Sequence, residues 1–208
     1  PLVEFLLKQM KATEEILGEE IVMTMRILVN KKNDCLSYFI KLFMNVTQNL
    51  VMEKTNDTEI YLEPEMVSQA SIQYYTNIAQ VMGHILSQST LGDVGRRNLI
   101  VENIFSMNFF PNLLAATFHA SSCKGYLNLF YYILDKQKDL LKGSHLNGID
   151  IQVERISRII IYATKNPSCF GSVRLLTVRI LIPLVKLEHA AINAQIYQQN
   201  IFKLLLEL

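Results

Sequence analysis

His119 and Cys123 stand four residues apart, a spacing that sets two potential metal ligands on one helix face, and His145 and Cys169 offer two more of the right type from elsewhere. The spacing matches no structural zinc set. The expected arrangement is a His at a helix end beside an inert buried thiol. Gly92-Asp93-Val94-Gly95-Arg96-Arg97 puts two glycines ahead of a helix, as a phosphate loop does, but it lacks the Lys, the spacing and the preceding strand. Neither G-x-S-x-G nor H-E-x-x-H occurs, and nucleophilic catalysis needs its Ser or Cys held against a base. The chain is therefore predicted to be non-enzymatic, with no metal and no cofactor.

A stronger chemical signal is charge. Arg155, Arg158, Lys165, Arg174, Arg179 and Lys186 are offset by Glu154 alone between positions 154 and 186. Arg155 and Arg158 lie three apart on one expected helix and are surface neighbours, while Arg174 and Arg179 lie five apart on the next and diverge in angle. This basic set fits a solvated face, a dock for an acidic protein segment, or contact with a phosphate backbone. Aromatics do not interleave with the charges as single-strand binding requires. They crowd instead at Phe109, Phe110, Phe118, Phe130, Tyr131 and Tyr132, where core packing is the expected use. Phe130, Tyr131 and Tyr132 are consecutive, so at least one of them must leave the buried stripe.

The elements that would carry these residues are helices. Leu2 to Leu17 repeats apolar residues at helical spacing, and Gly18 is expected to cap it. A second helix spans 19–30, and Asn33 and Asp34 start a third through Met52 with the stripe Leu36, Phe39, Ile40, Phe43, Val46 and Leu50. After a polar loop over 53–63, Pro64 opens a long helix to about Gln88. Three helices follow, 96–105, 111–119 and 126–142, the last stopped by Gly143. Asp150 caps a helix with Val153, Ile156, Ile159 and Ile160 on its stripe, Ser172 to Lys186 forms another with Pro183 as a kink or an end, and Ala190 to Leu208 completes the chain. Phe39, Leu113, Ile160 and Leu175 are expected to be buried. No convincing strand appears, and the predicted class is all-α.

Half of the 208 residues are apolar, Gly and Pro number only 8 and 5, and no low-complexity linker interrupts the sequence, so residues 1–208 are expected to form a single unit. Pro1 and the apolar run from Leu204 to Leu208 suggest ends cut from a longer protein. The uncharged runs Met66–Gly92 and Asn103–Cys123 are long enough to cross a bilayer, but Gln69, Gln73, Asn77, Gln80, His84 and Asn112 are costly in hydrocarbon, and no membrane contact is expected. Three scattered cysteines without a C-x-x-C pair suit a reducing compartment, nuclear or cytoplasmic, where the sequons at Asn45 and Asn56 would stay unmodified. The net charge of +1 conceals an asymmetry, with 9 basic against 13 acidic residues over 1–104 and 11 against 6 over 105–208.

At 96–141 the chain resembles an armadillo-type repeat. Asn98-Leu99-Ile100-Val101-Glu102 is similar to the first helix of such a triplet, Phe109-Phe110-Pro111-Asn112-Leu113-Leu114 to the start of the second, and Tyr126 to Leu141 to the third. Tyr75-Thr76-Asn77-Ile78-Ala79 resembles the Asn-bearing third helix, and Asn193 to Leu208 another first and second helix. Spacing between these fragments is irregular. The resemblance implies an armadillo/HEAT-like solenoid of about ten helices, the alternative being a non-repeating helical bundle. It further implies an intracellular protein-interaction scaffold, with Asn77 in the position of the peptide-holding Asn ladder; Asp135 and Val178 or Arg179 occupy the corresponding places elsewhere. The expected partner is a protein, an acidic or helical segment meeting Asn77, Arg155, Arg158, Arg174, Arg179 and Lys186. The alternative is association of the basic C-terminal half with nucleic acid.

Overall fold

The computed structural model describes residues 2–12, 15–52, 68–88, 94–117, 119, 121–141, 143–146, 149, 153, 154, 156, 157, 161 and 171–207, with backbone alone at 11, 12, 15–17 and 171–174. Every regular element among the described residues is a helix: α1 (Leu2–Ala12), α2 (Glu15–Lys31), α3 (Asn33–Met52), α4 (Gln69–Gln88), α5 (Val94–Ile104), α6 (Phe110–Ala116), α7 (Cys123–Lys136), α8 (Gly171–Lys186), α9 (Ala190–Gln198) and α10 (Ile201–Leu206). A 3-10 turn, Lys138–Leu140, follows α7. The all-α expectation is met, because the apolar residues recur at helical and not strand spacing.

Local chemistry sets several boundaries. Asp34 lies in the first turn of α3, where the positive end of the helix dipole favours a carboxylate. Pro111 occupies the start of α6, where a missing N–H costs nothing. Asn200 adopts the left-handed conformation at φ 51°, which an Asn tolerates better than most residues, and this divides the expected Ala190–Leu208 helix into α9 and α10.

Two glycines expected to stop helices lie elsewhere. Gly18 sits inside α2, and Gly143 begins a helical stretch over 143–146 after α7 has ended at Lys136. Gly18 serves packing, since a Cβ there would lie 2.9 Å from Asn77 Nδ2 on α4. Gly125, one residue ahead of the helix expected over 126–142, lies within α7 and also serves packing: a Cβ would meet Thr76 Cα at 2.6 Å and the Tyr75 carbonyl oxygen at 2.9 Å. Backbone touches backbone where α4 and α7 cross.

α4 packs between α2 and α7, and α7 packs on α8 at its other side, so these four helices stand in a row. Behind the row, α3 contacts α2, α5 and α6, while α9 joins α8 to α10. The core between them is aromatic at its centre. Phe43 stacks on Tyr126 at 5.6 Å between centroids and meets Phe109 edge-on at 6.0 Å. Tyr126 is fully buried, and its hydroxyl lies 2.8 Å from Thr47 Oγ1, which itself donates to the Phe43 carbonyl at 2.7 Å. This bond explains why Thr47 is wholly buried on α3 while Val46, expected on the stripe, is half-exposed. Phe39 and Leu113 are buried as expected. Leu175 is not: the buried face of α8 runs Thr177, Ile180, Leu181, Leu184, which turns Leu175 outward to 58% exposure. Ile160 lies outside the described residues.

Candidate partner-binding groove

On the row of helices, the open faces of α2, α4 and α7 enclose a groove of about 390 Å³. Gly83 contributes no side chain to it and Ala79 only a methyl, which leaves the space over α4 open. Arg26 of α2 forms one wall, Gln80 and His84 of α4 line the middle, and Asn128 and Tyr131 of α7 form the other.

Arg26 is half-buried. Its Nη1 lies 3.9 Å from Met23 Sδ, and its Nε is shut off from water without an acceptor. Salt bridges among the described residues join Lys8 to Glu4 and Lys136 to Asp135, and neither involves Arg26. A partly desolvated guanidinium with no carboxylate beside it is costly, because buried charges ordinarily come paired.

His84 Nε2 lies 2.8 Å from Asn30 Nδ2. With the amide donating, Nε2 accepts and the ring proton is assigned to Nδ1. Burial lowers the pKa of His84 first, and the positive charges of Arg26 and Arg96 lower it further, so the ring is neutral at pH 7. Arg96, from α5, donates to the carbonyls of Asn30 at 2.7 Å and of Val29. These belong to the last turn of α2, whose carbonyls have no partner within the helix and carry its negative pole. The charge of Arg96 is thus engaged by α2, and that of Arg26 is not.

Beyond Tyr131 the surface continues onto α8. The Arg179 guanidinium lies over the Tyr131 ring, 4.8 Å from its centroid, a cation–π contact. Lys136 beside Asp135 holds that carboxyl below its usual range, with Lys186 and Arg179 adding to the effect. Leu175, Ile182 and Val185 are exposed on the same helix.

The residues expected to bind a partner separate. Asn77 is buried: Gln73 donates to its Oδ1 at 2.9 Å, and its Nδ2 faces Gly18, so the amide sits inside the α2–α4 interface and not on the groove. Arg179 and Lys186 are exposed on α8 and come together near Asp135. Arg174 is on α8, with only its backbone described, and Arg155, Arg158, Cys169 and Phe118 lie outside the described residues. His119 Nδ1 pairs with Ser121 Oγ at 2.9 Å. Cys123 is buried, which pushes its thiol up to about 12, and His145 packs against the rings of Phe105 and Phe110. Among the described residues no three His, Cys, Asp or Glu side chains gather as a metal site would require. No helix of the described residues is long and apolar enough to cross a membrane.

Sequence reasoning missed Arg26, His84 and Asn128, which come from three helices far apart in the chain. One signal did point here. Phe130 is buried, while Tyr131 and Tyr132 are only half-buried and line the groove, as three consecutive large residues on a helix demand. Comparison with known protein families, with curated proteins and with solved structures finds no match.

Proposed function

We propose that the chain is a non-enzymatic protein-interaction scaffold, an armadillo/HEAT-like helical solenoid that receives a segment of its partner on the face made by α2, α4, α7 and α8. The packing order supports the solenoid reading: each of these helices touches its neighbours in the row, and the remaining helices back them, as in units stacked along one axis. The groove across α4 and α7 carries the functional reading. It joins an aromatic ring, an amide, a neutral imidazole and an uncompensated cation, which is the chemistry of recognition. Catalysis fits it poorly, since Ser87 in the groove donates to the carbonyl of His84 in its own helix at 2.7 Å. The nuclear or cytoplasmic setting belongs to the same proposal and rests on three scattered cysteines without a C-x-x-C pair. For the nucleic-acid alternative, the Asp135 carboxylate of α7 offsets one of the three charges of Arg179, Lys186 and Lys136, so the basic surface of α8 is reduced at that point and not reversed.

The test is a random peptide display selection on the folded chain. Selected peptides should compete with one another and lose binding on Tyr131→Ala or Asn128→Arg, while Phe202→Glu, on exposed α10, leaves them unaffected. Failure to select any peptide, or binding indifferent to both groove substitutions, refutes the reading.

A further inference from the structure

We infer that the groove holds a carboxylate subsite at Arg26, so that the partner segment carries an Asp or Glu side chain which seats against this guanidinium. This deepens the scaffold reading and rests on it. Three observations carry it. Among the described residues Arg26 is the cation of the groove without a countercharge, its Nε is already stripped of water, and Met23 Sδ at 3.9 Å is a weak acceptor that a carboxylate oxygen displaces at little cost. The other cation close to His84, Arg96, is engaged by the two carbonyls that end α2. Across the groove Asn128 is exposed and offers an amide donor from α7.

The count of available charge selects the anion. A carboxylate carries one negative charge, which Arg26 alone balances with two parallel N–H···O bonds. A phosphorylated side chain carries about −1.5 to −2 at pH 7 and is held by clusters of arginines. Among the described residues, one guanidinium without a countercharge beside a neutral imidazole suits the smaller charge. Tyr131 then offers its ring to the adjoining part of the segment, with Arg179 fixing that ring from the α8 side.

The experiment measures fluorescence anisotropy of three labelled nonapeptides, all-Glu, all-Gln and all-phosphoserine, against the full chain at 50 mM and 300 mM salt. The all-Glu peptide should bind at the lower salt and the all-Gln peptide should not. Arg26→Gln should weaken all-Glu binding tenfold or more, the scale of losing a charge-assisted pair, and Arg26→Lys should weaken it less. Arg97→Gln, on the exposed side of α5, should leave it unchanged. Melting curves confirm that each variant is folded. Equal binding of the Glu and Gln peptides, no binding of the Glu peptide, or equal loss in the Arg26 and Arg97 variants overturns the subsite. Tighter binding of the phosphoserine peptide through Arg26 replaces carboxylate with phosphate and also overturns it. Display-selected peptides that still bind Arg26→Gln at full strength would leave the groove standing and remove this subsite alone.

Discussion

Gly125→Ala should destabilise the chain, although alanine is the better helix former. The added methyl would fall 2.6 Å from Thr76 Cα, 2.9 Å from the Tyr75 carbonyl oxygen and 3.0 Å from Thr76 N. Carbon atoms in contact sit about 3.5–4.0 Å apart, so the overlap approaches about 1 Å, and the atoms in the way are backbone, which has no rotamer to change. α4 and α7 must separate, loosening the central interface of the row. Overpacking of this kind costs typically about 1–3 kcal/mol, and backbone on both sides puts Gly125 at the upper end. Replacing a helical Gly returns at most about 1 kcal/mol, leaving a net loss of about 2 kcal/mol. For a chain of this size that lowers Tm by about 4–8 °C. Gly83→Ala is the matched control, because its methyl would meet only Leu129 Cδ1 at 3.8 Å, an ordinary contact, and should gain up to about 1 kcal/mol in helix propensity. Thermal and urea unfolding followed by circular dichroism would rank the pair. A Gly125→Ala protein as stable as the parent would show that the two backbones do not touch here.

The register of the core is tested by truncation: Phe39→Ala and Leu113→Ala should each cost about 2–5 kcal/mol, whereas exposed Leu175→Ala should stay within about 0.5 kcal/mol, all by urea denaturation. Tyr126→Phe removes the hydroxyl that meets Thr47 and should cost about 1 kcal/mol, while Thr47→Val combined with Tyr126→Phe should recover part of it, a double-mutant cycle giving the coupling. His84 has its pKa lowered in the folded chain against an unfolded value near 6.5, so the unfolded state binds more protons below that pH. Its contribution to stability is complete above pH 6.5 and falls away as the pH drops below it. Imidazole signals followed by NMR should place the His84 midpoint below 6.5, and Arg26→Gln should raise it; a midpoint unmoved by that substitution would remove Arg26 from the vicinity of the ring.

The helices are legible because burial repeats with the period of the chain itself. Leu36, Phe39, Ile40, Phe43 and Leu50 mark the inner face of α3 from sequence alone, and Pro111 marks a start. Glycine misleads at Gly18, which serves a close crossing, while Gly143 has open space around it and follows a helix that has already ended at Lys136. A missing side chain serves a terminus or a close crossing equally well, and only the neighbour across the interface tells them apart. Leu175 misleads because α8 is apolar on more than one side, so periodicity alone leaves its register open. Asn77 illustrates the same limit: a polar residue in a familiar position reads as surface, yet Gly18 makes room for it inside. The groove is the least legible part. Arg26, His84 and Asn128 become neighbours only when three helices align, and no local spacing encodes that.

Arg96 has a bearing on how the chain matures during synthesis. The last turn of α2 presents carbonyls whose donor arrives 66 residues after Asn30. At roughly 5–20 residues per second, the ribosome needs roughly 3–13 s to supply it. For that interval α2 and α3 can pair, but the end of α2 remains frayed and the wall that bears Arg26 is unfinished. The first helices therefore do not mature as a self-sufficient unit ahead of the rest. Their completion waits on the start of the 94–136 triplet, so the last contacts of α2 come from a later part of the chain than those that α3 and α4 supply first.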